Sequence, residues 1–292
     1  LLGVSHELLP AGLERLEGQE RIRQEKLPRP NGRDDEIMDV VYLTPLYWGE
    51  VGVAERIKAL TKVQSPLFLQ EELPQTGLEL SDEQEQAVRM ALEHPVSILT
   101  GGPGTGKTTC LKALIATLDH QKKRYGLASP TGRAAKRLSE ATGSPASTIH
   151  RLLEFSPVDG FKRNPDNPLN VDFLVVDEAS MLDLLLTNHL LKALRPGTHL
   201  LFVGDIDQLP SVGAGDVLRD LIESKVAAVT RLETIFRQAE DSQIITNAHR
   251  INQGQTPFFA KGEQGDFYLF PAEDAAAAAD WVVDVVTERI PQ

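Results

Sequence analysis

The chain has 292 residues, of which 41% are hydrophobic and 25% are charged, a composition typical of a folded globular protein of about two domains. A lone cysteine, Cys110, excludes a disulfide framework, and no apolar run approaches the roughly 20 residues of a membrane span. The formal net charge of −12 argues against a generally basic, nucleic-acid-binding surface. Without a secretion signal, the sequence predicts a cytoplasmic protein with no membrane contact. It starts at Leu1 and not at methionine, so we expect a fragment.

Residues 1–75 predict a small helix-rich module. Spaced apolar residues predict that residues 1–30 are helical. A Pro- and Gly-containing turn is expected at residues 28–33, and residues 37–43 are predicted to be a strand. A second helix is expected at residues 49–63, where Val53, Ile57 and Leu60 share one face. The module is expected to end near residues 74–77.

From residue 81 onward, predicted strands and helices alternate. The strands are expected at residues 95–100, 125–129, 172–177, 199–205 and 228–232, and the helices at residues 107–118, 133–141, 181–194 and 214–224. Alternation with apolar strands predicts an α/β fold with a mostly parallel sheet covered on both faces. We assign this domain to residues 76–260. Residues 261–292 are expected to form a strand at 266–270 and a helix at 272–290, which either begin a further domain or close this one.

The most specific motif is GGPGTGKT at residues 101–108, between a predicted strand and a predicted helix. It matches the phosphate-loop pattern G-x-x-x-x-G-K-[ST], whose glycines let backbone N–H groups turn towards an anion. Lys107 would supply a positive charge to the β- and γ-phosphates, and Thr108 a hydroxyl to Mg²⁺. An ordinary Gly-rich turn is the alternative. The predicted nucleotide-binding residues in this segment are Gly102, Pro103, Gly104, Thr105, Gly106, Lys107, Thr108 and Thr109.

Two adjacent carboxylates, Asp177 and Glu178, follow another apolar strand. In a parallel sheet the carboxyl ends of the strands are where ligands bind. Asp177 would hold Mg²⁺, and Glu178 would polarise a water for attack on the γ-phosphate. Acidic residues also favour helix N-termini, which is the structural alternative. Together with the phosphate loop, the pair favours hydrolysis of ATP over phosphoryl transfer to a small molecule.

With these two sites, several other segments resemble the superfamily 1 DNA helicases, most closely the RecD-like branch. The resemblance implies a RecA-like P-loop ATPase domain that uses ATP and Mg²⁺. It also implies movement along single-stranded DNA in the 5′ to 3′ direction, in DNA repair and recombination. Residues 80–88 (LSDEQEQAV) look like the family's Q motif, in which Gln84 would read adenine. Ser81 and Gln84 also have the spacing of a capping box, so two interpretations remain open.

Two further segments are similar to the family's DNA-binding motifs. Residues 129–138 (SPTGRAAKRL) look like motif Ia and lie within residues 121–138, which contain six basic and no acidic residues; a solvated helix face is the alternative. Residues 147–153 (STIHRLL) look like motif Ib, although its histidine could equally be a packing residue. The DNA-binding residues that the resemblance implies are Thr131, Gly132, Arg133, Lys136, Thr148 and His150.

The resemblance extends to motifs III and IV. Residues 204–215 (GDIDQLPSVGAG) look like motif III, in which Gln208 would sense the γ-phosphate or the attacking water; a plain turn explains only its Pro and Gly residues. Residues 231–238 (RLETIFRQ) look like motif IV, in which Arg237 would stabilise transition-state charge; a surface ion pair is the alternative. The implied catalytic residues are Lys107, Asp177, Glu178, Gln208 and Arg237.

Motifs V and VI of the family, which belong to a second RecA-like domain, have no counterpart up to Gln292. We therefore expect the chain to be an N-terminal portion that is poorly active without that domain. Its protein partners cannot be predicted from the sequence. Two alternative functions stay open: a non-catalytic scaffold gated by ATP, and a P-loop phosphotransferase.

Overall fold

A computed structural model describes residues 9–29, 37–63, 79–234, 242–259 and 265–289. The chain divides into two compact units, one of residues 1–101 with 107–232 and the other of residues 102–106 with 233–292. Among the helices in these described ranges, we find none with the length and apolar character needed to cross a bilayer. The predicted division at residues 75 and 260 stays a prediction.

The N-terminal segment contains a β-hairpin as well as helices. Its elements are α1 (Leu9–Gly18), β1 (Ile22–Pro28), β2 (Ile37–Leu43) and α2 (Thr44–Lys62). The strand at Ile37–Leu43 and the second helix are confirmed, but the helix predicted through residue 30 is wrong, because β1 pairs antiparallel with β2, Ile22 opposite Leu43. Cross-strand partners here override the local helical spacing. Of the turn predicted at residues 28–33, Pro28 is the last residue of β1, and residues 30–33 lie outside the described residues, as does the predicted boundary at 74–77.

Six parallel strands form the central sheet of the first unit, in the order β10-β3-β9-β8-β4-β5. The strands are β3 (Val96–Gly101), β4 (Tyr125–Ser129), β5 (Ala146–Thr148), β8 (Phe173–Val176), β9 (His199–Gly204) and β10 (Ala228–Leu232). The helices are α3 (Asp82–Glu93), α4 (Lys107–His120), α5 (Gly132–Thr142), α6 (Ile149–Leu152), α7 (Leu184–Lys192) and α8 (Val217–Glu223). A short hairpin of β6 (Phe155–Ser156) and β7 (Gly160–Phe161) follows α6, and a 3₁₀ turn (Ala179–Met181) precedes α7. The predicted RecA-like α/β fold is confirmed.

Both faces of the sheet are buried, because successive strand residues point to opposite sides. On strand β8, Leu174 and Val176 belong to one core cluster, and Phe173 and Val175 to the other. The first cluster packs the sheet against α7, α8 and the buried face of α2, which includes Ile57; the second packs it against α3, α4 and α5. Helix α2 therefore shares a core with the sheet.

The second unit contains α9 (Gln243–Asn252), α10 (Ala275–Asp284) and a π-helical turn (Val285–Arg289). The strand predicted at residues 266–270 is wrong: these residues pair with no strand in the described part of the chain. Asp266 instead accepts hydrogen bonds from the Ser242 hydroxyl (2.6 Å) and the Gln243 backbone N–H (2.7 Å). Its carboxylate thus satisfies donors at the start of α9, which ties this segment to a helix and not to a sheet.

Candidate nucleotide-binding and nucleic-acid-binding site

The predicted site residues of the first unit lie at one edge of the sheet. Strands β3, β9, β8 and β4 are consecutive in the parallel sheet, so the residues that follow their carboxyl ends gather at a common edge. Lys107 begins α4 after β3, Thr131 follows β4, and Asp177 follows β8. Asp205, to which the sequence analysis gave no role, follows β9 and is 5% exposed. The sheet topology thus concentrates charged side chains at the edge where ligands bind in such folds.

The Lys107 ammonium lies among carboxylates. Its Nζ donates a hydrogen bond of 2.5 Å to the carbonyl oxygen of Gly101. Burial lowers the pKa of Lys107, whereas the negative charges of Asp205, Asp177 and Glu178 raise it. The predicted partners Lys107, Asp177 and Glu178 therefore lie close enough to interact. A partly buried ammonium at the start of α4 is suited to bind phosphate.

Asp177 is held at the end of β8 by a hydrogen bond of 2.9 Å from its backbone N–H to the carbonyl of Ala128. Burial raises the pKa of its carboxyl group to about 6. The neighbouring Glu178 charge also raises this pKa, and the Lys107 and Arg137 charges lower it. A desolvated carboxylate of this kind is stabilised by a cation, so Asp177 is suited to face Mg²⁺.

Glu178 has an unusual backbone conformation, with φ 53° and ψ 43° in the left-handed region. It lies at the N-cap position of the 3₁₀ turn, as the alternative of a helix N-terminus predicts, but its side chain makes no capping hydrogen bond. Its carboxylate instead contacts Arg137 of α5, with Nη2 to Oε1 at 3.2 Å. Arg137 lies within the motif Ia segment, but the resemblance implied no role for it. This contact between α5 and the end of β8 could not be predicted from the spacing of residues in the sequence.

Gly204, the last residue of β9, lies directly against the backbone that follows Glu178. A Cβ atom on Gly204 would lie 2.9 Å from Leu218 Cδ2, 3.2 Å from the backbone N of Ser180 and 3.3 Å from that of Ala179. Only a residue without a side chain permits this approach. The first glycine of the motif III segment therefore sets the distance between β9 and the turn that carries Glu178.

The glycines of the phosphate loop adopt conformations that other residues rarely adopt. Gly104 and Gly106 have φ values of 78° and 88°. A Cβ on Gly102 would lie 2.5 Å from Cε1 of His249, which belongs to α9 of the same unit. The His249 imidazole also lies 3.4 Å from the Pro103 carbonyl oxygen. His249 is thus a neighbour of the loop that the sequence analysis missed, because it is far away in the chain.

The capping box predicted at the start of α3 is present. The Gln84 backbone N–H donates to Ser81 Oγ (3.3 Å), and the Ser81 backbone N–H donates to Gln84 Oε1 (3.1 Å). The Gln84 side chain is buried, at 2% exposure. Contact with adenine therefore requires the amide NH₂ group or a loosening of the cap, and the adenine role stays a prediction.

The other predicted nucleotide contacts are Thr108, Thr109, Gln208 and Arg237. Thr108 is exposed and Thr109 half-buried in the first turn of α4. Gln208 is exposed in the turn after β9, where its backbone N–H donates to the Asp205 carbonyl at 3.2 Å. Arg237 lies outside the described residues. The roles of these four residues stay predictions.

The oxygen donors at this edge fit Mg²⁺. Within the described ranges, no group of three or more His, Cys, Asp or Glu side chains could hold a metal ion by itself. Mg²⁺ needs no such cage, because it is commonly bound by one or two carboxylates, substrate phosphates and water. Asp177 and the Thr108 hydroxyl are donors of the required type.

The two predicted DNA-binding threonines lie on neighbouring strands or directly after them. Thr131 and Thr148 follow or end the neighbouring parallel strands β4 and β5, and a Cβ on Gly132 would lie 4.0 Å from Thr148 Cγ2. Each hydroxyl caps a helix: Thr131 accepts from the Ala134 N–H (3.3 Å) and Thr148 from the Arg151 N–H (3.2 Å). A capping hydroxyl keeps its own proton for donation, so both can still donate to a phosphate.

The other predicted DNA contacts divide into two groups. Arg133 and Lys136 are exposed on α5. His150, by contrast, packs against aromatic rings, with its centroid 5.4 Å from Phe155 and 5.7 Å from Phe161. This contact is the packing role that the sequence analysis left open for His150. Its DNA-binding role stays a prediction.

The basic stretch at residues 121–138 does not form a single patch. Lys122 and Arg124 precede β4, and Arg124 forms an ion pair with Asp172 before β8, with Nη2 to Oδ1 at 2.6 Å. The basic residues of α5 follow the carboxyl end of β4. Only this second group therefore lies at the edge that carries Asp177.

Comparisons with known proteins agree with the motifs. A family described as an AAA domain matches residues 84–214. The ATP-dependent RecD2 DNA helicase of Deinococcus radiodurans is 44% identical over 178 residues, which are 61% of this chain and 24% of that protein. The RecBCD enzyme subunit RecD of Mycolicibacterium smegmatis is 38% identical over 219 residues, 66% of this chain and 40% of that subunit.

Among solved structures, a crystal structure of Pif1 helicase from Candida albicans matches with a TM-score of 0.46 and 27% identity, over 62% of this chain and 45% of the other. The chain thus spans about a quarter to two fifths of the length of the curated relatives given above. Over the matched residues, the chain is similar to RecD-type helicases, the family that its motifs resemble.

Proposed function

We propose that this chain provides the first ATPase domain of a RecD-type, ATP-dependent DNA helicase. The observation that carries the proposal is the convergence of the Lys107 ammonium with the Asp177 and Glu178 carboxylates at one edge of a parallel sheet. A phosphate-binding cation beside a metal-binding acid and a water-polarising acid is the arrangement that hydrolysis of a nucleoside triphosphate requires. The similarity to an ATP-dependent RecD2 DNA helicase supports the choice of ATP and DNA.

Each residue of the site has a separate task in this mechanism. Lys107 binds the β- and γ-phosphates as a positive charge, and the loop glycines present backbone N–H groups to the same oxygens. Asp177 and Thr108 would hold Mg²⁺, which would neutralise negative charge on the phosphates. Glu178 accepts a proton from the attacking water. Gln208 and Arg237 respond to the γ-phosphate, and Gln84 contacts adenine.

Single-stranded DNA is the proposed second substrate. Thr131, Gly132 and Thr148 at the ends of β4 and β5 bind a backbone phosphate, and the exposed cations Arg133 and Lys136 add electrostatic attraction. We further propose 5′ to 3′ movement and a second RecA-like domain in the same polypeptide, which alternates with this one in its grip on the strand. A role in DNA repair and recombination and a cytoplasmic location complete the proposal; the similarity to RecBCD subunits supports the role.

Two substitutions separate nucleotide binding from hydrolysis. In the full-length protein, Lys107→Ala is expected to abolish Mg·ATP binding, measured with a fluorescent nucleotide. Glu178→Gln is expected to keep the dissociation constant within about twofold while DNA-stimulated turnover falls by about 10²–10⁴, the usual contribution of a general base. Suitable controls are Lys112→Ala and Glu93→Gln, which change exposed residues of the same types on α4 and α3.

An unchanged dissociation constant in Lys107→Ala would contradict the phosphate-loop assignment. Full turnover in Glu178→Gln would mean that another group orients the water. Binding of ATP without hydrolysis in the parent protein, with or without DNA, would favour the scaffold. A phosphorylated small molecule in a substrate screen would favour the phosphotransferase.

A further inference from the structure

The contact between Arg137 and Glu178 joins the two halves of the site. Arg137 belongs to α5, the helix that carries the proposed phosphate contacts, and Glu178 is the proposed water-polarising acid. The guanidinium Nη2 lies 3.2 Å from Glu178 Oε1. The Arg137 side chain therefore connects α5, the proposed DNA-binding helix, to the proposed water-polarising carboxylate of Glu178.

Of the two partners, Arg137 has the freedom to move. Its side chain is 65% exposed, whereas that of Glu178 is 25% exposed. The Glu178 backbone is fixed in the left-handed region between buried strand β8 and the 3₁₀ turn, and Met181 N–H donates to its carbonyl at 3.0 Å. The close approach of Gly204 to the backbone N atoms of Ala179 and Ser180 restricts this turn further. A long, exposed arginine can leave such a carboxylate without disturbing the core.

Arg137 also shares a helix face with Arg133, a proposed DNA contact. It is four residues after Arg133, so the two side chains share one face of α5. Both are exposed, in the half of the helix that begins at Thr131. A DNA phosphate at that end offers Arg137 two oxygens for bidentate hydrogen bonding, to which the planar guanidinium group is well suited. Exposed ion pairs are weak, so the phosphate can compete with Glu178.

We propose that Arg137 is a positioning residue that alternates between Glu178 and a backbone phosphate of bound single-stranded DNA. Without DNA, Arg137 holds the Glu178 carboxylate in an ion pair and keeps it from the attacking water. Bound DNA draws Arg137 away, and Glu178 is then free to polarise the water. This inference rests on the proposed function and adds to it the means by which DNA stimulates ATP hydrolysis.

Competition between Glu178 and DNA for Arg137 can be tested by DNA binding alone, without ATP hydrolysis. Because coupling between two sites is reciprocal, loss of the Glu178 charge must strengthen DNA binding through Arg137. We expect Glu178→Gln to bind an oligothymidylate about two- to fivefold more tightly in the absence of nucleotide and Mg²⁺, the range set by a weak exposed ion pair. In Arg137→Gln, the further change Glu178→Gln is expected to give no such gain.

The matched control is Glu85→Gln, which removes the carboxylate of another exposed pair, that of Arg89 with Glu85 at 2.7 Å on α3. It is expected to leave DNA affinity unchanged. Equal gains from Glu178→Gln with and without Arg137 would show a general effect of charge and would overturn the inference. No gain in either background would overturn it as well. Circular dichroism checks that each variant is folded.

Steady-state turnover of the full-length protein provides the second test. Arg137→Gln is expected to raise DNA-free ATP hydrolysis severalfold and to reduce the ratio of DNA-stimulated to basal rates, while Arg137→Lys keeps part of that ratio. A parent protein that DNA stimulates, with an Arg137→Gln variant of unchanged basal rate and ratio, would overturn this inference alone. A parent protein without ATP hydrolysis would overturn the proposed function itself.

Discussion

At the scale of single residues, burial lowers the pKa of two basic side chains, Lys107 and His199, whose surroundings differ. Burial lowers the pKa of Lys107, but three carboxylates oppose this effect and favour the charged form that phosphate requires. His199 at the start of β9 has no such neighbours among the causes of its shift: burial lowers its pKa to about 4, and hydrogen bonding to the Ala91 backbone opposes this only in part. The imidazole is 1% exposed and its centroid lies 5.8 Å from that of Phe173. Lys107 is thus a site residue, and His199 a core residue.

His199 gives the first unit a specific sensitivity to acid. Because its folded-state pKa of about 4 is below the ordinary 6.5, the unfolded chain binds a proton first as the pH falls. We expect its contribution to be constant above pH 6.5 and to destabilise the fold between pH 6.5 and 4, by on the order of 3 kcal/mol in total. Urea unfolding at pH 8, 6 and 5 measures this loss.

The variant His199→Gln isolates the histidine from the carboxylates that also titrate in acid. Its free energy of unfolding is expected to fall less steeply than that of the parent between pH 6.5 and 5. The measurement at pH 8 serves as the reference, since the histidine is neutral there in both states. Identical slopes for parent and variant would refute this account of His199.

At the scale of elements, apolar strands that alternate with amphipathic helices predicted most of the sheet. Strands such as β3 and β9 are buried along their whole length, and their central residues are mostly apolar. The sequence failed where an element depends on a distant partner. Strand β1 carries charged residues and exists through its pairing with β2. The three-residue strand β5 forms only beside β4.

The site residues divide in the same way, into those predicted from nearby sequence and those whose contacts come from distant parts of the chain. Lys107 was predictable from the phosphate-loop motif after β3, and Asp177 from its place directly after β8. Parallel strands bring their carboxyl ends together. Arg137 and His249 were not assigned, because their contacts with Glu178 and Gly102 depend on how helices pack. The capping role of Gln84 was local and was foreseen as one of two interpretations.

The contact of β9 with the 3₁₀ turn allows a test of how closely these elements must pack. Gly204→Ala is expected to destabilise the protein by about 1–3 kcal/mol, the usual effect of overpacking a core, because the nearest atoms include rigid backbone. Urea unfolding measures the change. The control is Gly12→Ala in α1, where no atom lies within 4 Å of the added methyl group; it is expected to be neutral or slightly stabilising. Equal effects of the two substitutions would contradict the packing argument.

At the scale of the whole molecule, net charge conceals a local surface of opposite sign. The formal charge of −12 repels DNA on average. The exposed residues Arg133, Lys136 and Arg137 nevertheless lie together on α5, and only Lys136 and Arg137 have ion-pair partners among the described contacts, Glu140 at 3.7 Å and Glu178. Screening by salt confines each charge to its neighbourhood, so a few cations can bind a phosphate chain on an acidic protein.

This distribution predicts which cations contribute to DNA binding. Arg133→Ala and Lys136→Ala are each expected to weaken binding of single-stranded DNA and to lower the slope of log K against log salt by about 0.7, the value for one phosphate contact on a single strand. Fluorescence anisotropy over a salt series measures both quantities. The control Lys122→Asn removes a charge of the same basic stretch from the far end of β4. A loss with Lys122→Asn as large as with the α5 variants would contradict an interface at this helix.

The left-handed backbone at Glu178 is unfavourable for stability, although the proposed mechanism needs the side chain of this residue. A residue with a side chain costs about 1–3 kcal/mol in such a conformation, whereas glycine would adopt it freely. A glycine at this position is therefore expected to stabilise the fold and, under the proposed role of Glu178, to abolish ATP hydrolysis. Glutamate here exchanges stability for the proposed activity.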